Sequence, residues 1–243
     1  PTIDFMYATE YMMVLRKTTG AIPGKIEVDL VINSSLVESY ADAEATAQYR
    51  VYNSLNGLNE VSVLFDDNVN ESITLHANSI SELNSANYGD YRLSASFSED
   101  PSIAFDNRLV TLNQGESKAI IIYQTTDGHL TSLAFTESTL PQVYEHQLQV
   151  VNLVAAFPDI DFYFVRTGQS IETAQYQLLA LDYAQTAKIT LPSGDYELVA
   201  SIDNKQVLLD RTELLGLNEQ ANYIVTVEEN DTSPTGYKIS LLH

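Results

Sequence analysis

Apolar and polar residues alternate along most of the chain with a period of two, the mark of strands that bury one face. The strictest case is Tyr91-Arg92-Leu93-Ser94-Ala95-Ser96-Phe97, where Tyr91, Leu93, Ala95 and Phe97 point one way and the polar residues the other. Val61-Ser62-Val63-Leu64-Phe65 and Ile26-Glu27-Val28-Asp29-Leu30-Val31 follow the same rule. Shorter apolar runs at Tyr49–Asn53, Leu109–Leu112, Ala119–Tyr123 and Leu130–Phe135 are separated by Asn56-Gly57, Asn113-Gln114-Gly115 and Asp127-Gly128. Such dipeptides and tripeptides punctuate strands rather than helices. Helical periodicity is confined to short stretches, at most a turn in Ser79–Leu83 or around Glu172 to Leu181. Residues 33–47 are polar and Ala/Ser/Glu-rich and read as a linker, and Asp66 to Ser85 is the least regular stretch.

The pattern then restarts. Gly89-Asp90-Tyr91-Arg92-Leu93-Ser94-Ala95 has a twin in Gly194-Asp195-Tyr196-Glu197-Leu198-Val199-Ala200. With these superposed, Leu148-Gln149-Val150-Val151-Asn152 falls on Tyr49-Arg50-Val51-Tyr52-Asn53, and Asp159–Phe164 falls on Glu60–Phe65 without a gap. Leu217-Asn218 matches Leu112-Asn113, and Ile224–Val227 matches Ala119–Ile122. Met12-Met13-Val14-Leu15 resembles Ile120-Ile121-Ile122-Tyr123, so residues 1–32 read as the closing hairpin of an earlier unit; Leu36 and Tyr40 likewise answer Leu140 and Tyr144. Each complete unit holds about seven short strands in about 95–100 residues, the spacing of an all-β sandwich. The expected division is a closing hairpin plus linker over 1–45, a first sandwich over 46–138 and a second over 139–243. The glycine of each Gly-Asp-Tyr is expected to supply a positive φ at the strand entrance. The apolar Met12, Val14, Ile26 and Val28 of the hairpin need cover, either from the first sandwich or from another chain as a homodimer through residues 1–32.

Composition narrows the function. Of 243 residues, 33 are acidic and 12 basic, a net charge of −21 that disfavours nucleic acid and anionic membranes as partners. Cysteine is absent, which removes disulfides, thiolate metal sites and Cys nucleophiles. The chain starts at Pro1 and carries neither a signal peptide nor a long apolar span, so it is taken as a mature form or a fragment that does not itself insert in a membrane.

In the second unit, Val150-Val151-Asn152, Phe157-Pro158-Asp159-Ile160-Asp161-Phe162-Tyr163, Leu191-Pro192-Ser193-Gly194-Asp195-Tyr196 and Leu217-Asn218 before Tyr223-Ile224-Val225 form an ordered series. This series resembles the bacterial family of exported repeats catalogued as domain of unknown function 4397. The first unit departs from it, with Asn59 and Ser62 where the second has Pro158 and Asp161. The resemblance implies tandem Ig-like antiparallel β-sandwiches on an exported, periplasmic or cell-surface protein, often a lipoprotein, with no activity to carry over.

Candidate chemistry is sparse. His76, His129, His146 and His243 stand at unrelated positions without metal-ligand spacing and read as surface residues. Motifs for an activated serine, a phosphate-cradling loop or a zinc protease are missing from the sequence, so no catalytic residue, cofactor or metal is assigned and the chain is read as no enzyme. Asp66-Asp67-Asn68-Val69-Asn70-Glu71 alternates oxygen ligands as a calcium loop would, but it lacks the sixth-position Gly and has Ala77 at the twelfth. Asp161 and Tyr163 lie on the face opposite Ile160, Phe162 and Phe164 and are therefore expected outward. They could meet a sugar or a protein partner there; alternatively Asp161 bonds a neighbouring backbone and Tyr163 covers an edge. The sequence thus points to a non-catalytic module for structure, adhesion or protein contact. The alternative is a carbohydrate or small-ligand module of the cell envelope.

Overall fold

The computed structural model describes residues 3–17, 25–57, 60–66, 72–138, 140, 142, 144–202, 207–214 and 222–243. Strands β1 (Tyr11–Lys17), β2 (Ile26–Ile32) and β3 (Leu36–Tyr40) form an antiparallel sheet in chain order. The expected linker thus contains a strand. It folds back because Asn33 and Ser34 adopt φ of 49° and 56°, with the Ser35 N–H donating to the Ile32 carbonyl at 3.1 Å. Two consecutive positive φ values make the tight turn that fits strand twist. The Leu36/Tyr40 match to Leu140/Tyr144 does not extend to secondary structure, since Leu36–Tyr40 is a strand whereas Leu140 and Tyr144 precede the next one. The expected Thr18-Thr19-Gly20 turn lies outside the described residues.

Next come β4 (Ala47–Asn53), β5 (Val61–Asp66), β6 (Ser72–Leu75), β7 (Ser79–Ile80), β8 (Asn84–Ala86), β9 (Gly89–Phe97), β10 (Ala104–Leu112), β11 (Ser117–Gln124) and β12 (Leu130–Thr136). They make two sheets, β10-β9-β5-β6 and β12-β11-β4-β7, with β8 also on β4. The stretch Ser79–Leu83 is strand and coil rather than a helical turn. The remaining strands are β13 (Glu145–Asn152), β14 (Asp159–Arg166), β15 (Tyr176–Asp182), β16 (Thr186–Pro192), β17 (Tyr196–Ile202), β18 (Val207–Leu214), β19 (Tyr223–Glu229) and β20 (Tyr237–Leu242). They form β16-β13-β19-β20 and β15-β14-β17-β18, with a short 3₁₀ turn at Ile171–Thr173.

The two pairs of sheets share one plan. In each, the first strand runs parallel to the penultimate one, as Asn53 opposite Ile122 and Asn152 opposite Val227, and all other ladders are antiparallel. Each pair closes over its own core. Phe65 stacks on Tyr49 at 4.2 Å and joins Val61, Leu93 and Ile122; Phe162, Phe164, Leu198 and Val225 do the same in the second. At about 25 cal/mol per Å² of apolar area removed from water, these fully buried rings and branched chains are the main favourable term.

Two small constructions recur at matching positions. Asn53 and Asn152, both fully buried, each donate Nδ2 to a carbonyl (Leu75 at 3.1 Å, Leu181 at 2.9 Å) and accept from an N–H two residues on (Leu55 at 3.1 Å, Val154 at 2.9 Å). Tyr91 and Tyr196 point inward and donate their hydroxyls to the carbonyl four residues back, Asn87 and Pro192, each at 2.7 Å. Gly89 and Gly194 ahead of them have φ of +153° and +151°, as the sequence led us to expect. A Cβ at Gly194 would meet only a Tyr196 ring atom at 3.9 Å, so a substitution there is strained by its backbone alone. Gly194→Val should therefore lower stability by about 1–3 kcal/mol and Gly194→Ala by a similar amount. Chemical denaturation checks this, and unchanged midpoints would remove the role.

The two sandwiches also seal against each other. The outer faces of β12-β11-β4-β7 and β16-β13-β19-β20 bury a third apolar cluster that includes Tyr52, Ala119, Ile121 and Tyr123 with Val151, Leu153 and Ile224. Residues 47–242 are thus four stacked sheets with three apolar layers between them. The central two sheets are buried on both faces, which is why Ala119–Tyr123 of β11 is an unbroken apolar run rather than an alternating one and why β19 is buried at every position from Tyr223 to Glu228.

Candidate functional site

The alternation along β14 places Asp161 and Tyr163 opposite the core residues Ile160, Phe162 and Phe164 as expected, yet Tyr163 is only 2% exposed. The expectation of an outward, accessible Tyr163 is corrected. The segment around Ile171 and Ala174 crosses that face and packs with Tyr163, Val165 and Val199. Burial, followed by the Asp161 charge, pushes the Tyr163 phenol up to about 12. Its hydroxyl donates to Asp161 Oδ2 at 3.2 Å, and Asp161 Oδ1 accepts the Ala180 N–H at 2.9 Å. That N–H is released by a bulge in the β14–β15 ladder between Ile160 and Phe162, where Ala180 takes φ 53°. The pair therefore braces an irregular edge.

Histidine placement is mixed. His76 is exposed and 2.6 Å from Glu60, and His243 lies over the Tyr223 ring at 5.7 Å. His146 is 1% exposed, against the surface placement expected, because β13 turns its ring inward near Ser193 Oγ at 3.1 Å. Among the described residues no three His, Cys, Asp or Glu side chains converge as metal ligands. The calcium-loop candidate Asp66–Glu71 lies outside the described residues beyond the backbone of Asp66.

The richest polar chemistry lies where the sandwiches meet, and the sequence reading missed it. At one edge Arg50, 7% exposed, donates Nε and Nη2 to Glu137 Oε1 and Nη2 to the Asn222 carbonyl at 2.9 Å. Ser117 Oγ donates to Glu137 Oε2 at 3.0 Å, and Gln142 Nε2 reaches Asn222 Oδ1 at 2.8 Å. Further along, Tyr52 donates its hydroxyl to Glu228 at 2.8 Å and Ser240 Oγ donates to the same carboxyl at 2.6 Å. Burial pushes the Glu228 carboxyl above its ordinary value, against those hydrogen bonds and the charge of Lys238. Burial, and then Glu228 itself, raises the Tyr52 phenol.

The sign of the pH effect follows. A carboxyl titrating higher in the folded state contributes fully below its ordinary value of 4.5, and the contribution is lost as pH rises through the folded value. Glu228→Gln keeps an acceptor and removes the charge. Its stability relative to the parent should rise as the pH climbs above 4.5 and level off once the pH has passed the folded-state value. Paired urea titrations across that range check it; a constant difference would contradict it.

Beyond Tyr52 and Glu228 the two sheets part to leave an open cleft of about 340 Å³, lined by Ser54, Asn56, Tyr123, Gln124, Leu153 and Glu229 among others. All lie at or just past the C-terminal ends of β4, β11, β13 and β19, so matching positions of the two sandwiches line it together. Its walls mix apolar surface, amides, hydroxyls and carboxylates, chemistry suited to a small polar ligand.

Comparison with known proteins adds little to this geometry. No family model and no curated protein matches the chain. Among solved structures, it is similar to the Bacillus anthracis TIE protein at 11% identity, covering 90% of this chain and 57% of that one with a TM-score of 0.26. The chain therefore spans little more than half the length of that neighbour.

Proposed function

We propose that the chain is a non-catalytic module of an exported bacterial protein, in which tandem Ig-like sandwiches serve as a rigid platform for structure, adhesion or protein contact. One observation carries this reading. The outer faces of the two sandwiches are joined by a continuous apolar layer and by Arg50, Tyr52 and Glu228, so the pair behaves as one body. The resemblance to exported repeats supports its placement in the periplasm, on the outer-membrane surface or outside the cell. Calorimetry with small-angle scattering tests the platform. One cooperative transition and the scattering of a single block support it; two separate transitions with a flexible profile overturn it.

The second reading, a carbohydrate or small-ligand module, is favoured by the cleft at Tyr123, Gln124 and Glu229. A glycan array would separate the two. Binding lost in Gln124→Ala or Glu229→Ala would select the ligand module.

A further inference from the structure

Met12, Val14 and Ile26 of the opening hairpin remain exposed, so the first sandwich does not supply the cover expected for them. The loop that follows β4 carries more chemistry. It holds Asn56-Gly57, the one Asn-Gly pair in the sequence. A glycine after an asparagine leaves the joining peptide nitrogen without a side chain to shield it. That nitrogen can attack the side-chain amide carbon, and the fold decides whether the two groups meet.

Here the fold brings them together. Gly57 lies past the end of β4, is exposed to water and takes φ 83°. Its N–H donates to Asn56 Oδ1 at 2.8 Å, so the side chain is folded back over the peptide that follows it. The carbon to be attacked is one bond from that oxygen. Asn53 and Asn152 show the opposite arrangement, because the next nitrogen is committed elsewhere. The Ser54 N–H donates to the Ile122 carbonyl at 3.0 Å, and the Leu153 N–H to the Val227 carbonyl at 2.9 Å. Both side chains accept instead from the N–H two residues on, in sites that are 0% exposed. Those two asparagines are held as amides, and Asn56 is held against its own attacker.

We infer that Asn56 is a site of self-modification, at which the Gly57 nitrogen closes on Asn56 Cγ and the amide becomes a carboxyl. The Gly57 nitrogen gives its proton to hydroxide and forms the N–Cγ bond. The Cγ–Nδ2 bond breaks in the same exchange, and that nitrogen leaves as ammonia. Water then opens the cyclic imide at either carbonyl, giving aspartate or the isomer whose main chain runs through Cγ. Hydroxide and water are the co-reactants, and no electrons change hands. The position gives the change a consequence. Asn56 lines the cleft together with Glu228 and Glu229, and none of the described lining residues is basic. Conversion adds a carboxylate to a wall without a cation to offset it, so the cleft becomes more repellent to anions as the protein ages.

The test is incubation of the whole native chain at mildly acidic and mildly alkaline pH, with digestion and mass spectrometry of the peptide that holds Asn56. The expected result is loss of the amide to both aspartate and isoaspartate, with matching release of ammonia and a rate that rises with pH. Asn53 and Asn152 react only through unfolded molecules, a fraction of about 10⁻³ or less, so Asn56 should outpace both by at least about 100-fold. Asn56→Gln, whose longer side chain closes a larger ring, should leave no isoaspartate in that peptide. A native chain that keeps its Asn56 amide for as long as the same chain in urea takes to lose it overturns the inference, since the fold then protects the pair. So does conversion of Asn53 or Asn152 as fast as Asn56, which would trace the reaction to unfolding.

Discussion

Arg50→Ala is expected to lower the stability of the chain by about 3–5 kcal/mol, the cost of leaving a buried carboxylate without its partner. Glu137 is 6% exposed, and the hydroxyl of Ser117 would still donate to it at 3.0 Å. The Asn222 carbonyl, on the second sandwich, loses a donor in the same step. Two features make the outcome diagnostic. Adding Glu137→Gln to Arg50→Ala removes the stranded charge and should restore about half of the loss, since a neutral amide is cheaper to bury. The variant should also loosen the two sandwiches from each other, because Arg50 is a direct polar link between them. Urea denaturation of both variants reads the energies. A loss below about 1 kcal/mol for Arg50→Ala would mean that water replaces the guanidinium and that the edge of the interface is open.

Asn152→Ala should be nearly as damaging, at about 3–5 kcal/mol. The substitution orphans the Leu181 carbonyl and the Val154 N–H in a site that is 0% exposed, and unpaired buried groups cost about 1–3 kcal/mol each before the cavity is counted. Asn53→Ala removes the matching pair of bonds, to Leu75 and Leu55, and should lose a comparable amount. The comparison tests whether the two positions do the same work. If one variant is tolerated and the other is not, the likeness of the two cores is geometrical only.

The fold was legible because strand alternation and turn residues are local signals. Register between the sandwiches was legible too: Ile122 and Val227, aligned from sequence, lie opposite Asn53 and Asn152 in their ladders. What escaped were relations between distant segments. Tyr163 has the phase of an outward residue, and nothing near it in sequence says that Ile171 and Ala174 will cross over it. The strand β3 hid in a polar stretch because its residues pair at a sheet edge and are mostly exposed, so no apolar periodicity marks it. The sealed interface did leave a trace. Ile120-Ile121-Ile122-Tyr123 is apolar at four successive positions and Tyr223-Ile224-Val225-Thr226-Val227 is broken only by Thr226, which a sheet with one wet face does not need. Glu228 gave none, since a carboxylate that will be buried is spelled like one that will not.

The parallel pairing of β4 with β11 and of β13 with β19 settles where the polypeptide comes and goes. Ala47, Thr136, Glu145 and Leu242 all lie at one end of the stack, together with the starts of β11 and β19. Ser54, Gln124, Leu153 and Glu229, which line the cleft, lie at the other. The stack therefore has a base, where these strand ends gather, and a tip, where the cleft opens. The three-stranded sheet joins at the base, where Ala41 and Ala45 sit against Gly115. A label or surface linkage fused after His243 would emerge from the base as well, holding the tip outward with its cleft unobstructed.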